Sequence, residues 1–173
     1  PLLKVGKESV KGLVALLVEP GKGDDFKPRY LLHALVTFVN RPENEKDRPT
    51  VREGLVAALG GDTPLGLKKY VLEELKHVGT KAEAAAIGEY LNNEETCEFA
   101  AQALIAIGDT ADIFRKALPN AKGRGRVTVI QELGVLRDAK AADELKKAAA
   151  DTDPVVRLAA CESLGNIGDA SAA

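Results

Sequence analysis

Two stretches of this chain read almost alike: Glu132–Ala142, ELGVLRDAKAA, and Ser163–Ala173, SLGNIGDASAA. They lie 31 residues apart, and Arg126 and Arg157 precede them at the same offset. Self-similarity at a period of about 20–50 residues marks a solenoid, in which each unit buries its apolar face only against its neighbours. The repeat therefore decides the architecture and argues against a compact enzyme fold. It names no partner.

Working outward, prolines punctuate the rest. Pro28, Pro49, Pro64 and Pro154 each open an amphipathic stretch, where a missing N–H is harmless and the fixed φ suits a helix start. Pro20, Pro42 and Pro119 each follow the end of one. Apolar residues spaced three and four apart predict helices in five pairs. These are 8–18 with 28–39, 49–59 with 64–78, 81–91 with 94–107, 110–118 with 125–136, and 139–149 with 153–167. No alternating apolar–polar run suggests a strand. The late leucine of each second helix, namely Leu35, Leu75, Leu104, Leu133 and Leu164, recurs at intervals of 40, 29, 29 and 31 residues. The long first interval absorbs the charged segment Asn40–Arg48, and a second irregular loop, Glu19–Asp25, lies inside the first pair. The expected fold is all-α, a right-handed α-α superhelix of about five helical hairpins, with the second helices lining its inner surface. It forms a single repeat domain over residues 1–173, with units near 7–40, 48–79, 80–109, 110–138 and 139–169. Pro1–Gly6 reads as the tail of an earlier second helix, and Asp169–Ala173 as the opening of a further first helix. Both ends suggest a piece of a longer protein.

Composition narrows the function classes. Hydrophobic residues make up 45% of the 173, but aromatics only 4% with no Trp, so the core must rest on Leu, Val, Ile and Ala. Acidic residues number 26 against 24 Lys and Arg, which argues against a nucleic acid partner. No apolar run approaches the roughly 20 residues of a membrane span. Cys97 and Cys161 stand two repeats apart, about 20 Å at roughly 10 Å per helix layer, and beyond disulfide reach. Two free thiols favour a reducing compartment, the cytoplasm. The chain opens on Pro1 and contains no methionine, so a removed leader stays open.

The fifth pair carries a pattern with a known likeness: Asp151, Asp153, Pro154, Val156, Arg157, Ala160, Leu164, Gly165, Ile167, Gly168 and Asp169. It resembles a HEAT repeat, in the short bacterial, armadillo-like form named after phycobilisome lyases. The fourth pair matches at Arg126, Val129, Leu133, Gly134, Leu136 and Asp138. The third matches at Ala100, Ala103, Leu104, Ile107, Gly108 and Asp109, with Cys97 in the arginine slot; the second keeps Lys68, Leu75, Val78 and Gly79. The resemblance implies a ladder between units built from a second-helix arginine and an aspartate in the preceding turn. Arg157 with Asp151 or Asp153, and Arg126 one unit earlier, would fill those roles. Gly79, Gly108 and Gly168 are expected to end their helices in the left-handed conformation. Alanines 100, 103, 159 and 160 are expected to let helices approach closely.

Few residues suggest chemistry. His33 and His77 are the sole histidines, no third ligand completes a set, and no metal or cofactor is expected. Tyr30, Tyr70 and Phe99 share one register slot with Thr128 and Ala159, which reads either as packing in the seam or as an exposed aromatic strip. Lys122, Arg124 and Arg126 form a basic cluster interleaved with glycine, able to hold an anion at a helix N-terminus, or else a solvated loop. No paired acid and base stands out, and no catalytic residue is assigned.

Stepping by four along the second helices gives one ridge: Arg29, His33, Thr37; Lys69, Glu73, His77; Glu98, Gln102, Ala106; Val127, Gln131, Val135; and Leu158, Glu162, Asn166. Its middle position is always polar, while its flanks pass from charged to largely apolar. This ridge is the expected contact face for a protein or peptide partner, through Arg29, His33, Lys69, Glu73, His77, Gln102, Gln131 and Glu162. The isolated domain is expected to be monomeric. The expected role is a non-catalytic scaffold; the family likeness also implies an alternative, a lyase-like protein handling a bilin chromophore. HEAT-like DNA glycosylases share the architecture but use tryptophan and a catalytic aspartate near a basic concave face, whereas this chain lacks Trp and has an acidic pI near 5.8.

Overall fold

A computed structural model describes residues 6–168. The readings of Pro1–Val5 and of Asp169–Ala173 as parts of neighbouring units lie outside the described residues. Among those described there are ten α-helices and no strand. In chain order the pairs are α1 (Lys7–Ala15) with α2 (Phe26–Val39), α3 (Arg48–Gly60) with α4 (Leu65–Val78), and α5 (Lys81–Gly88) with α6 (Cys97–Ile107). Then come α7 (Ala111–Ala117) with α8 (Gly123–Val135), and α9 (Ala142–Ala148) with α10 (Pro154–Ile167).

Two layers result. The first helices α1, α3, α5 and α7 pack in succession, and the second helices α2, α4, α6, α8 and α10 do the same beside them. Between the layers one apolar cluster runs from Val10 to Leu164. The leucine series Leu35, Leu75, Leu104, Leu133 and Leu164 is buried throughout, at most 8% exposed. Burying a Leu side chain contributes about 1.5–3 kcal/mol, so this spine supplies much of what a core without tryptophan can. Ala100, Ala103, Ala159 and Ala160 are buried on the same helices. Small side chains also permit a close approach of α8 and α10 at Gly134, where an added Cβ would stand 2.6 Å from Ser163 Cα. There Ser163 Oγ donates to the Ile130 carbonyl at 2.9 Å, tying the two helices through a buried bond.

Several boundaries and turns differ from the sequence-based expectation. Asn40–Arg48 is not an irregular loop: Pro42–Asp47 forms a 3-10 helix, which Pro42 opens. Arg48 then reaches back, donating to the carbonyls of Val39 and Asn40 at 2.8 and 2.9 Å, and so satisfies acceptors that the end of α2 leaves free. The first helices α5 and α9 are shorter than expected because 3-10 turns, Glu89–Asn92 and Ala139–Ala141, replace part of each.

The expectation for the terminal glycines fails at Gly79. Its φ is −62°, ordinary extended backbone, and the residue is small for another reason: a Cβ would stand 2.7 Å from the Leu75 carbonyl and 3.0 Å from Ile107 Cδ1. Gly108 has positive φ but an extended ψ, and only Gly168 is left-handed in the helical sense. In the fourth pair the same slot falls to Arg137, a non-glycine residue at φ 51°.

Candidate functional site: the second-helix face

None of the ridge residues named from the sequence is buried. Packing explains this, since the leucines and alanines at neighbouring helical positions turn inward and leave the four-residue ridge outward. Most of the ridge's charged members, however, are engaged inside the chain. Arg29 binds Asp25 at 2.5 Å, donates to the Val18 carbonyl at 3.3 Å, and lays its guanidinium 4.4 Å above the Tyr70 ring. Asp25 in turn accepts from the Val18 N–H at 3.1 Å, so the pair closes the loop after α1. The Arg29 hydrogen bond holds the Asp25 carboxyl below the usual carboxylate range. Lys69 pairs with Glu95 at 2.8 Å, and Glu73 pairs with Lys76. His77, Gln102, Gln131 and Glu162 are exposed.

Apolar residues join the ridge at both ends. Val135 and Leu158 are 63% and 61% exposed on α8 and α10, and Val155 stands open at the start of α10. At the other end Phe26 and Tyr30 stack on α2 with centroids 6.0 Å apart, and both are well exposed. The aromatic slot is therefore divided. Tyr30 is outside the seam, Tyr70 and Phe99 are partly covered, and Thr128 and Ala159 are buried. The reason is position: Tyr70 lies between α2 and α4 and its hydroxyl donates to the Arg29 carbonyl at 3.0 Å, whereas no preceding second helix among the described residues covers Tyr30. Burial, with the Glu74 carboxylate adding to it, pushes the Tyr70 phenol well above its ordinary pKa.

One residue here was absent from the sequence reading. Glu74 on α4 is 2% exposed, and His33 Nδ1 lies 3.1 and 3.2 Å from its two carboxylate oxygens. An ionised carboxylate can only accept, so the Nδ1–H of His33 donates to Glu74. His33 and His77, which the repeat register kept apart, stand edge to face with ring centroids 6.0 Å apart. Glu74 falls at an interior-facing position of α4, and a charged residue at such a position was the available sign. Phe26, Arg29, Tyr30, His33, Tyr70, Glu73, Glu74 and His77 together line an open groove of about 380 Å³ between α2 and α4.

The expected arginine ladder takes a different form. Arg126 reaches the Asp151 carboxylate of the next unit at 3.2 Å. Arg157 instead donates to the carbonyls of Asp151 and Thr152 at 3.0 and 2.8 Å. Asp153 is the N-cap of α10, accepting from the Val155 N–H at 2.8 Å. Further charge pairs link successive units, Arg52 with Glu83 at 3.4 Å and Arg124 with Glu98, and Arg115 pairs with Asp138 at the end of its own unit. Two of the three cations in the KGRGR cluster are engaged. Arg124 and Arg126 serve such pairs, and the Glu94 carboxylate lies close to Gly123, the first residue of α8.

Residues 111–173, beginning at the first residue of α7, match the family model described as HEAT repeats. The chain folds as an all-α, HEAT-like helical repeat solenoid. No curated protein matches it. In this HEAT-like solenoid Cys97 is buried and Cys161 exposed, and both thiols are free. No helix among the described residues is long and apolar enough to cross a membrane.

Proposed function

We propose that this chain is a non-catalytic scaffold that holds a protein or peptide partner along its second-helix ridge. HEAT repeats are in general protein-interaction scaffolds, which supports the class of role. The observation that carries the surface is the ridge itself. It stays open to solvent along five helices, and it bears well-exposed Val135 and Leu158 at one end and Phe26 and Tyr30 at the other. Exposed apolar side chains gathered on one face favour association, and the exposed glutamines between them offer hydrogen bonds without a desolvated charge. The intramolecular pairs of Arg29 and Lys69 move the emphasis toward Gln102, Gln131, Glu162 and the apolar flanks.

Photo-crosslinking tests this. A benzoylphenylalanine placed at Gln102, Gln131 or Glu162 should capture one partner protein in a native lysate, and the same group at Glu53 or Lys116 on the first helices should not. Val135→Asp with Leu158→Asp should abolish the capture while leaving the helical circular dichroism intact. Equal labelling from both layers would sink the assignment of the surface. The bilin-handling alternative rests on the phycobilisome-lyase subtype of the resemblance. Its mark would be a shifted absorbance after the chain is incubated with a bilin.

A further inference from the structure

The groove between α2 and α4 joins stacked aromatic side chains to a buried carboxylate that, among the described residues, no lysine or arginine pairs with. Its charged lining residues are Arg29, Glu73 and Glu74. Arg29 is matched by Asp25 and Glu73 by Lys76. Glu74 meets the His33 imidazole and the Tyr70 phenol, and among the described residues no lysine or arginine pairs with it. A buried carboxylate without a lysine or arginine partner gains strongly from a guanidinium brought to it, because charge-assisted hydrogen bonds are about twice as strong as neutral ones. Above this floor Phe26 and Tyr30 present a well-exposed stacked pair, and aromatic faces attract cations through their quadrupole.

The chain already displays the matching chemistry once. The Arg29 guanidinium lies over the Tyr70 ring while its N–H groups bind the Asp25 carboxylate. Phe26 and Tyr30 with Glu74 repeat that combination of aromatic face and carboxylate in the same groove, without the cation.

We propose that this groove binds an arginine side chain of the partner peptide, with the guanidinium stacked on Tyr30 and Phe26 and hydrogen-bonded to Glu74 as the His33 ring turns aside. Arginine is favoured over lysine because its planar group stacks on a ring and donates two parallel bonds at once. The inference rests on the scaffold reading above and names what one end of the ridge selects.

The test uses the full chain and two small probes, N-acetyl-arginine amide and N-acetyl-citrulline amide, which differ in charge and little in shape. Titrated at millimolar concentration, the arginine probe should shift the ring resonances of Phe26, Tyr30 and His33 saturably, and the citrulline probe should bind at least fivefold more weakly. Glu74→Gln should lower arginine binding to the citrulline level. Tyr30→Ser, at an exposed position, should weaken it severalfold and keeps the test valid if the buried substitution unfolds the chain. Equal affinity for the two probes, or shifts elsewhere in the molecule, would overturn the proposal. If the probes fail while ridge crosslinks persist, the arginine specificity falls and the scaffold reading stands.

Discussion

At the scale of the residue, Arg137 shows a repeat position under tension between sequence and backbone. In the neighbouring units this slot holds Gly108 and Gly168, at φ 77° and 83°, and in all three the chain must leave a helix with positive φ. Arg137 adopts 51° because two bonds require it: its own N–H meets the Gly134 carbonyl at 3.0 Å, and the Asp138 N–H meets that of Leu133 at 3.0 Å. An L-residue in the left-handed region pays roughly 1–2 kcal/mol, partly offset by the greater unfolded-state entropy of glycine. Arg137→Gly should therefore raise stability by about 0.5–1 kcal/mol, read as a higher urea midpoint at unchanged slope. A lower midpoint would mean that the Arg137 side chain contributes more than its backbone loses.

At the scale of the element, the turns that lead into second helices are held by carboxylates. Asp25 is bonded by Arg29 and by the Val18 N–H, and Asp151 by the backbone of Asp153, with Arg126 adding its charge. Both are held below the usual carboxylate range, as is Asp109 through Lys81. A carboxyl whose folded pKa is depressed binds its proton more readily in the unfolded chain. Its contribution is present above the unfolded value, near about 3.9, and is lost as pH falls through the folded value. Glu132 on α8 works in the opposite sense: burial raises its pKa, so it weakens the fold as pH rises from the ordinary glutamate range. The urea midpoint should accordingly decline as pH is lowered below about 4, and Asp25→Asn should make that decline shallower. An unchanged profile in the variant would show that the turn after α1 is held by packing alone.

At the scale of the whole molecule, stability passes from neighbour to neighbour, because each hairpin shares its interior with the adjacent ones. Leu104 on α6 is fully buried at the middle of the leucine spine, with α4 and α8 on either side. Leu104→Ala should cost about 2–5 kcal/mol and accelerate hydrogen exchange in α4 and α8 as well as α6. Loss of protection confined to α6 would count against a shared interior. Sequence alone determined the helices, their pairing and the spine, because a period of 29 to 31 residues with inward leucines has one economical solution in stacked hairpins. It also placed the ridge outward, since the face opposite the leucines has nowhere else to point. Only the tertiary structure decided what those ridge residues touch. Arg29 finds Asp25 and Tyr70, His33 finds Glu74 and His77, and the basic loop at α8 finds Glu94 and Glu98. Periodicity fixes which way a side chain faces along its own helix. Its partners depend on how far one layer is rotated and shifted against the next, a quantity set by the summed packing of many small side chains and written in no single motif.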